Sequence, residues 1–153
     1  MNEHQQRLLD QIAAAFAGVE LGDGVSLHET QVIDNYGTAE QRLAARTPDE
    51  KLDWHKLIDD PELPWLLGNA AGLCFVDDEG LRFYLPACLS LGVRDPVRAD
   101  RDNMLHLLIE RHGDSNTRRS PFLSTLTDEQ QTCARAVFGY LQQQWATEDC
   151  EID

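Results

Sequence analysis

Basic residues are scarce in this sequence of 153 residues, in which 13 Lys and Arg stand against 27 Asp and Glu for a net charge of −14. Proteins that bind nucleic acids gain most of their affinity by neutralising phosphates with Lys and Arg. We therefore expect no nucleic-acid partner. The sequence also lacks the apolar run of about 18 residues that a membrane-spanning helix requires, and its first residues lack the pattern of a secretion signal. We expect no membrane partner and a cytoplasmic location.

Cysteines are few and unpaired in sequence: Cys74, Cys88, Cys133 and Cys150 form no C-x-x-C motif. Without a secretion signal, an even count does not establish disulfides. Cys88 follows Pro86-Ala87, where a helix start would lower the pKa of its thiol, but sequence cannot place a partner such as His106 beside it. Buried structural cysteines are the favoured interpretation.

Several motifs for catalysis and ligand binding are missing from the sequence. It has no G-x-S-x-G elbow, no H-E-x-x-H pair, no EF-hand loop and no P-loop. Gly22-Asp23-Gly24 is the nearest approach to a glycine-rich phosphate loop, but its central carboxylate would repel phosphate, so we interpret it as a turn. We expect no cofactor and no resident metal.

The composition present is that of a folded domain, with 42 % hydrophobic and 26 % charged residues. A chain of this length buries roughly 68–70 % of its unfolded surface, which is enough for a core without metal or disulfide. We therefore expect a single domain over residues 1–153, with a frayed acidic tail from about residue 147.

Capping motifs predict a series of helices. Apolar spacing predicts a first helix that buries Leu8, Leu9, Ile12, Ala13 and Phe16 and ends at Gly18. Capping boxes at Ser26, Thr38, Thr47 and Thr127, together with Asp60-Pro61, predict further helix starts. The box at Thr127 opens a long C-terminal helix whose apolar face comprises Ala134, Val137, Phe138, Leu141 and Trp145.

Short apolar and aromatic runs indicate strands. Residues 73–76 and 81–85 flank the turn-like residues 77–80, which predicts a β-hairpin, with a short helix over 86–91 and a third strand over 104–109. A polar loop is predicted over 113–121. On such a strand Arg82 and Tyr84 share one face, where Arg82 would pair with an acid of the helices or both would form part of an interface. The predicted fold is α+β, with short helices and a long C-terminal helix packed on a small antiparallel sheet.

Negative charge concentrates in residues 20–62, where eleven acids face four bases and the net charge is −7. One interpretation is solubility, since acids also favour helix N-termini. The other is a surface that attracts a basic partner. The candidate partner-binding residues are Asp23, Glu29, Asp49, Glu50, Asp53, Arg82 and Tyr84.

Three functional hypotheses follow. The first is a non-enzymatic acidic interaction protein, in one form an immunity or antitoxin-like protein that blocks a basic toxin or nuclease. The second is a small metal-dependent hydrolase using Asp23, His28, Glu29, Asp53 and His55. The third is a housekeeping scaffold domain.

Two motifs resemble an uncharacterised bacterial family, a domain of unknown function. The first, with the pattern G-V-x-L-G-D-G-x-S-L-x-E-T, spans residues 18–30, and the second, G-L-R-F-Y-L-P-A, spans residues 80–87. Residues 33–37 and 49–54 fit the same family, and the resemblance covers about residues 12–141. It implies a self-contained bacterial domain and assigns no catalytic residues.

Overall fold

The computed structural model describes residues 1–64, 75–102, 105–106, 108–109 and 125–148, and the regular secondary structure of these residues is entirely helical. Within them lie six α-helices and one 3₁₀ turn: α1 (Glu3–Ala15), α2 (Leu27–Asp34), α3 (Ala39–Arg46), the 3₁₀ turn (Trp54–Leu57), α4 (Asp78–Arg94), α5 (Pro96–Arg101) and α6 (Asp128–Glu148). None of these described helices is long and apolar enough to cross a membrane.

The α+β prediction is wrong, because the described residues contain no strand and no antiparallel sheet. Residues 81–85, expected as a strand, lie inside α4. Residues 77–80 begin that helix instead of turning a hairpin, since the Asp77 side chain accepts a hydrogen bond from the Gly80 amide as an N-cap. Nearly every residue of α4 from Gly80 to Val93 is buried. A helix buried on all sides has no apolar stripe, so its periodicity cannot be told from that of a buried strand.

The predictions for the other parts of the sheet are also wrong where the structure describes them. Pro86 neither stops a strand nor begins a helix, because it lies buried in the middle of α4. In the expected third strand, residues 105–106 and 108–109 are described, and the Ile109 amide donates to the Leu105 carbonyl in a helical i to i−4 bond. Three predictions lie partly or wholly outside the described residues: the first strand at 73–74, the polar loop at 113–121 and the acidic tail at 149–153.

Capping boxes located most of the remaining helices correctly. Residues Ser26, Thr38 and Thr127 directly precede α2, α3 and α6, and Asp60 accepts from the Glu62 amide where residues 62–64 turn helical. The expected helix start at Thr47 is wrong. Thr47 instead ends α3: its φ of −55° and ψ of −44° are helical, whereas an N-cap has an extended backbone, and residues 48–53 form no helix.

The core lies between α1, α4 and α6, which contact one another in every pair. The largest side chains fully buried there include Phe16, Phe83, Tyr84 and Leu105. Side-chain amides fasten the three helices by bonding to backbone carbonyls at helix ends. Gln5 of α1 donates to Val93 of α4 at 2.8 Å, and Gln130 of α6 donates to Ala15 of α1 at 3.1 Å.

The predicted buried cysteines are found where the structure describes them. Cys88 and Cys133 are free thiols in the core. Burial raises the pKa of Cys88 well above its ordinary value and that of Cys133 to about 11, so neither is an activated nucleophile. Cys74 and Cys150 lie outside the described residues.

Candidate functional site

A buried carboxylate joins α2 to α3. The Glu29 side chain is 7 % exposed, and its oxygens accept from Arg46 at 2.9 Å and from Arg42 at 3.2 Å. It also accepts from the Ser26 amide at 3.2 Å, the bond that the capping box predicted. Burial raises the pKa of Glu29, but these donors outweigh burial and the net pKa is lowered. Glu29 is therefore a charged internal link between two helices.

Arg46 extends this link to the glycine turn. Its guanidinium also donates to the carbonyls of Gly22 and Gly24, and Gly22 adopts the positive φ of 56° that a tight turn needs. The Gly24 amide donates to the Leu21 carbonyl at 3.0 Å and closes the predicted turn. One guanidinium thus holds the turn, α2 and α3 in a fixed arrangement.

His28 lies between two carboxylates. Its Nδ1 contacts Asp49, whose second oxygen accepts from the His28 amide at 3.1 Å, and its Nε2 lies 2.6 Å from Glu62. Burial lowers the pKa of His28, but Asp49 and Glu62 outweigh burial and the net pKa is raised. Because both ring nitrogens face carboxylate oxygens, the protonated imidazolium is the form that this arrangement stabilises.

Glu50 and Asp53 accept hydrogen bonds from backbone amides. Glu50 accepts from the amides of Leu52 and Asp53, both at 3.0 Å, and these bonds lower its pKa. Asp53 accepts from the ring and the amide of His55, which lower the pKa of Asp53 and cap the 3₁₀ turn. Both acids shape the chain between α3 and the 3₁₀ turn.

The remaining three predicted partner-binding residues differ in their exposure and partners. Asp23 is exposed and has no hydrogen-bond or ion-pair partner among the residues that the structure describes. Tyr84 is 1 % exposed, and its hydroxyl accepts from the Leu27 amide at 3.0 Å. Arg82 is half-buried, with its Nε buried and without a hydrogen-bond partner in the described structure. Since both lie on a helix, Arg82 and Tyr84 do not share the strand face predicted for them.

The hydrolase hypothesis required five side chains to meet, whereas the structure engages them in different contacts. His28 contacts Asp49 and Glu62, Glu29 contacts two arginines, and Asp53 pairs with His55. Asp23 lies at the surface. Over the described ranges, no group of three or more His, Cys, Asp or Glu side chains is arranged to hold a metal ion.

Sequence reasoning missed a groove along α2 and α3. It encloses about 610 Å³ and is lined by His28, Gln31, Val32, Asn35, Gly37, Gln41, Ala45 and Pro48. The α2 members recur at intervals of three and four residues, as do Gln41 and Ala45 on α3, so each set occupies one helix face. That spacing could have indicated the groove from the sequence, but polar amides along one face of a short helix ordinarily indicate a solvated surface.

Tyr36 stands beside this groove with an unusual backbone. The side chain is 97 % exposed, and φ is 56°, a left-handed conformation in which glycine is the usual residue. The amide of Gly37 donates to the Val32 carbonyl and that of Tyr36 to Ile33, which together form a Schellman cap at the end of α2. A bulky side chain at this position costs stability and makes no core contact in return.

Charges in residues 20–62 are partitioned unevenly. All four cations have internal partners: Arg42 and Arg46 bind Glu29, Lys56 lies 3.7 Å from Glu50, and the Lys51 ammonium donates to three backbone carbonyls. In the same segment, four exposed acids have no cationic partner within the described residues: Glu20, Asp23, Asp34 and Glu40. The surface charge of the segment is therefore mainly negative.

Comparison with known proteins bears on the family alone. No curated protein and no solved structure matches the chain. A family model described as a family of unknown function, DUF6714, matches residues 4–151. This match confirms the expected resemblance to an uncharacterised family. Because it spans nearly the whole sequence, the chain belongs to the DUF6714 family of unknown function.

Proposed function

We propose that this protein is a non-enzymatic interaction module whose acidic helical surface binds a basic protein partner. One observation carries the proposal: every Lys and Arg of residues 20–62 has a partner within the protein, whereas Glu20, Asp23, Asp34 and Glu40 are exposed without a cationic partner among the described residues. A surface of one sign steers a partner of opposite sign and raises its association rate.

The rigidity of the segment supports the same function. Glu29 and Arg46 fix α2, α3 and the glycine turn to one another. A surface that is already ordered loses less conformational entropy when it binds. Four of the predicted acids therefore hold the segment in place: Glu29, Asp49, Glu50 and Asp53. The exposed acids contact the partner.

The partner class we favour is a cytoplasmic basic toxin or nuclease, with this chain acting as an immunity or antitoxin-like protein. A nuclease presents a cationic surface because it must bind phosphates. An acidic protein that covers this surface would exclude the substrate. The net charge of −14 fits this role and opposes nucleic acids or anionic membranes as partners.

Charge reversal at the exposed acids tests the proposal. The variant carries Asp34→Lys and Glu40→Lys, and the control carries Glu3→Lys and Asp10→Lys on the exposed side of α1, so both change the net charge equally. Partners captured from the source cells are identified, produced in pure form and titrated against each protein by calorimetry.

We expect a basic partner whose affinity falls at least roughly tenfold with the first variant, a loss of about 1.4 kcal/mol, and weakens with added salt. The control should bind within about threefold of the natural protein. A partner that is not basic, or an affinity that both variants reduce equally, would contradict the proposal.

A further inference from the structure

We propose that the groove between α2 and α3 is the docking site for a peptide segment that carries a Lys or Arg, and that Tyr36 contacts this cation. The inference rests on the proposed function and deepens it by naming the site and the chemistry of the segment. Its observations are the groove, the exposed tyrosine and the charge around both.

The groove has the size and the lining of a peptide site. Its volume of about 610 Å³ falls within the range of roughly 300–1,000 Å³ usual for binding pockets. Val32, Ala45 and Pro48 supply apolar surface, while Gln31 and Gln41 supply amides. The Gln31 amide can donate and accept, and Gln41, whose Oε1 already accepts from the Thr38 amide, can still donate, which matches the N–H and C=O groups of an extended peptide.

Tyr36 has no structural role that would explain an aromatic residue. Glycine would form the same Schellman cap without the strain of a positive φ, and the ring is 97 % exposed. Its neighbours Asn35 and Gly37 both line the groove, so the backbone of Tyr36 lies at the groove edge and its exposed ring is free to reach an occupant. An aromatic face in this position attracts the ammonium of Lys or the guanidinium of Arg.

The charge around the groove favours a cationic occupant. None of the eight lining residues, all within the described part of the chain, is Lys or Arg. Acids lie at the lining, because Asp49 and Glu62 both contact the ring of His28 and together outweigh its single positive charge. A cationic segment gains from this field, whereas a second copy of the chain would bring a further net charge of −14 to it.

Selection from displayed random peptides on the full chain tests the inference, and two matched pairs of variants map the site. Ala45→Arg fills the groove, whereas Ala44→Arg adds the same side chain to an exposed position of α3 outside the lining. Tyr36→Gly removes the ring and relieves the backbone strain, so lost binding cannot come from unfolding. Tyr36→Phe keeps the aromatic face.

We expect the enriched peptides to share a Lys or Arg next to apolar residues. Ala45→Arg should weaken them at least tenfold, and Ala44→Arg by less than threefold. Tyr36→Gly should weaken them roughly 2- to 30-fold, the range of a cation–π contact, and Tyr36→Phe should restore most of the affinity.

Failure of the inference can be told from failure of the proposed function. If Asp34→Lys with Glu40→Lys abolishes binding of the basic partner while the Ala45 and Tyr36 variants bind normally, the acidic surface is in use and the groove is not. If no peptide is enriched, or if the enriched peptides are acidic or neutral, the inference is overturned. Self-association that Ala45→Arg abolishes, seen by sedimentation, would assign the groove to a second copy and also overturn it.

Discussion

Gly24 and Gly80 lie in direct backbone contact, although they are 56 positions apart in sequence. A Cβ atom on Gly24 would lie 2.6 Å from the Gly80 amide nitrogen, and one on Gly80 would lie 2.5 Å from the Val25 carbonyl oxygen. Asp77 reinforces this contact, because its carboxylate accepts from the amides of Val25 and Gly80 at 2.8 and 2.9 Å. The glycine turn therefore packs against the first turn of α4.

Gly24→Ala should destabilise the protein. The added methyl would overlap backbone atoms, which cannot move aside like the end of a flexible side chain, and overpacking of this kind costs about 1–3 kcal/mol. Urea unfolding monitored by circular dichroism measures the change. A variant as stable as the natural protein would show that the two backbones are not in contact.

Gly139→Ala should have the opposite effect. Gly139 lies inside α6, and among the described residues no atom beyond its chain neighbours and the backbone of its own helix lies within 4 Å of an added Cβ. Alanine in a helix interior is favoured over glycine by about 0.5–1 kcal/mol, mainly because the unfolded chain is less flexible. The same urea titration should show a higher midpoint, and a lower one would contradict the open surface at this position.

Glu29→Gln should reduce stability at neutral pH by about 1–3 kcal/mol. Glutamine can still accept from the Ser26 amide, so the change isolates the loss of charge beside Arg42 and Arg46. The expected loss lies below that of a fully buried pair because both arginines are partly exposed. Glu40→Gln, at an exposed acid without a cationic partner in the described structure, serves as the control and should change stability by less than about 0.5 kcal/mol.

The contribution of Glu29 to the free energy of unfolding depends on pH in a definite direction. Its pKa in the folded protein lies below the ordinary value of 4.5, so its contribution is present above that value and is lost as the pH falls through the folded pKa. The difference in unfolding free energy between the natural protein and Glu29→Gln should therefore shrink in acid. A difference that stays constant from neutral pH into acid would contradict the ion-pair interpretation.

His28→Gln should destabilise the protein more at low pH than at high pH. The pKa of His28 is raised above its ordinary value of 6.5, so its stabilising contribution is complete below that value and is lost as the pH rises through the folded pKa. Urea titrations of both proteins across this window measure the effect. A ring titration midpoint at or below 6.5 by NMR would show that Asp49 and Glu62 do not stabilise the imidazolium.

Local rules predicted those parts of the fold in which a few neighbouring residues decide the structure. The caps at Ser26, Thr38 and Thr127 needed only a side chain and an amide three residues away. The same rules failed at Thr47, whose helical backbone ends α3 instead of starting a new helix. They also failed at Asp77, where an N-cap was interpreted as a turn because the following helix is buried on every side.

The candidate site was less predictable than the helices. Sequence identified the acids but could not show that Glu29 faces two arginines or that Asp49 faces His28. Tyr84 was expected at a surface and is a core residue bonded to Leu27. The groove depends on how α2 packs beside α3, and no single segment contains that information.

The sequence by itself determined the net negative charge, most helix starts and the family, because these depend on composition and on residues close together in the chain. Only the tertiary structure decided which charges are exposed. Packing brings Arg42 and Arg46 to Glu29, which pairs their charges, while Asp34 and Glu40 stay in solvent. The free energy of a charge depends on its neighbours in space, and those neighbours come from distant parts of the chain.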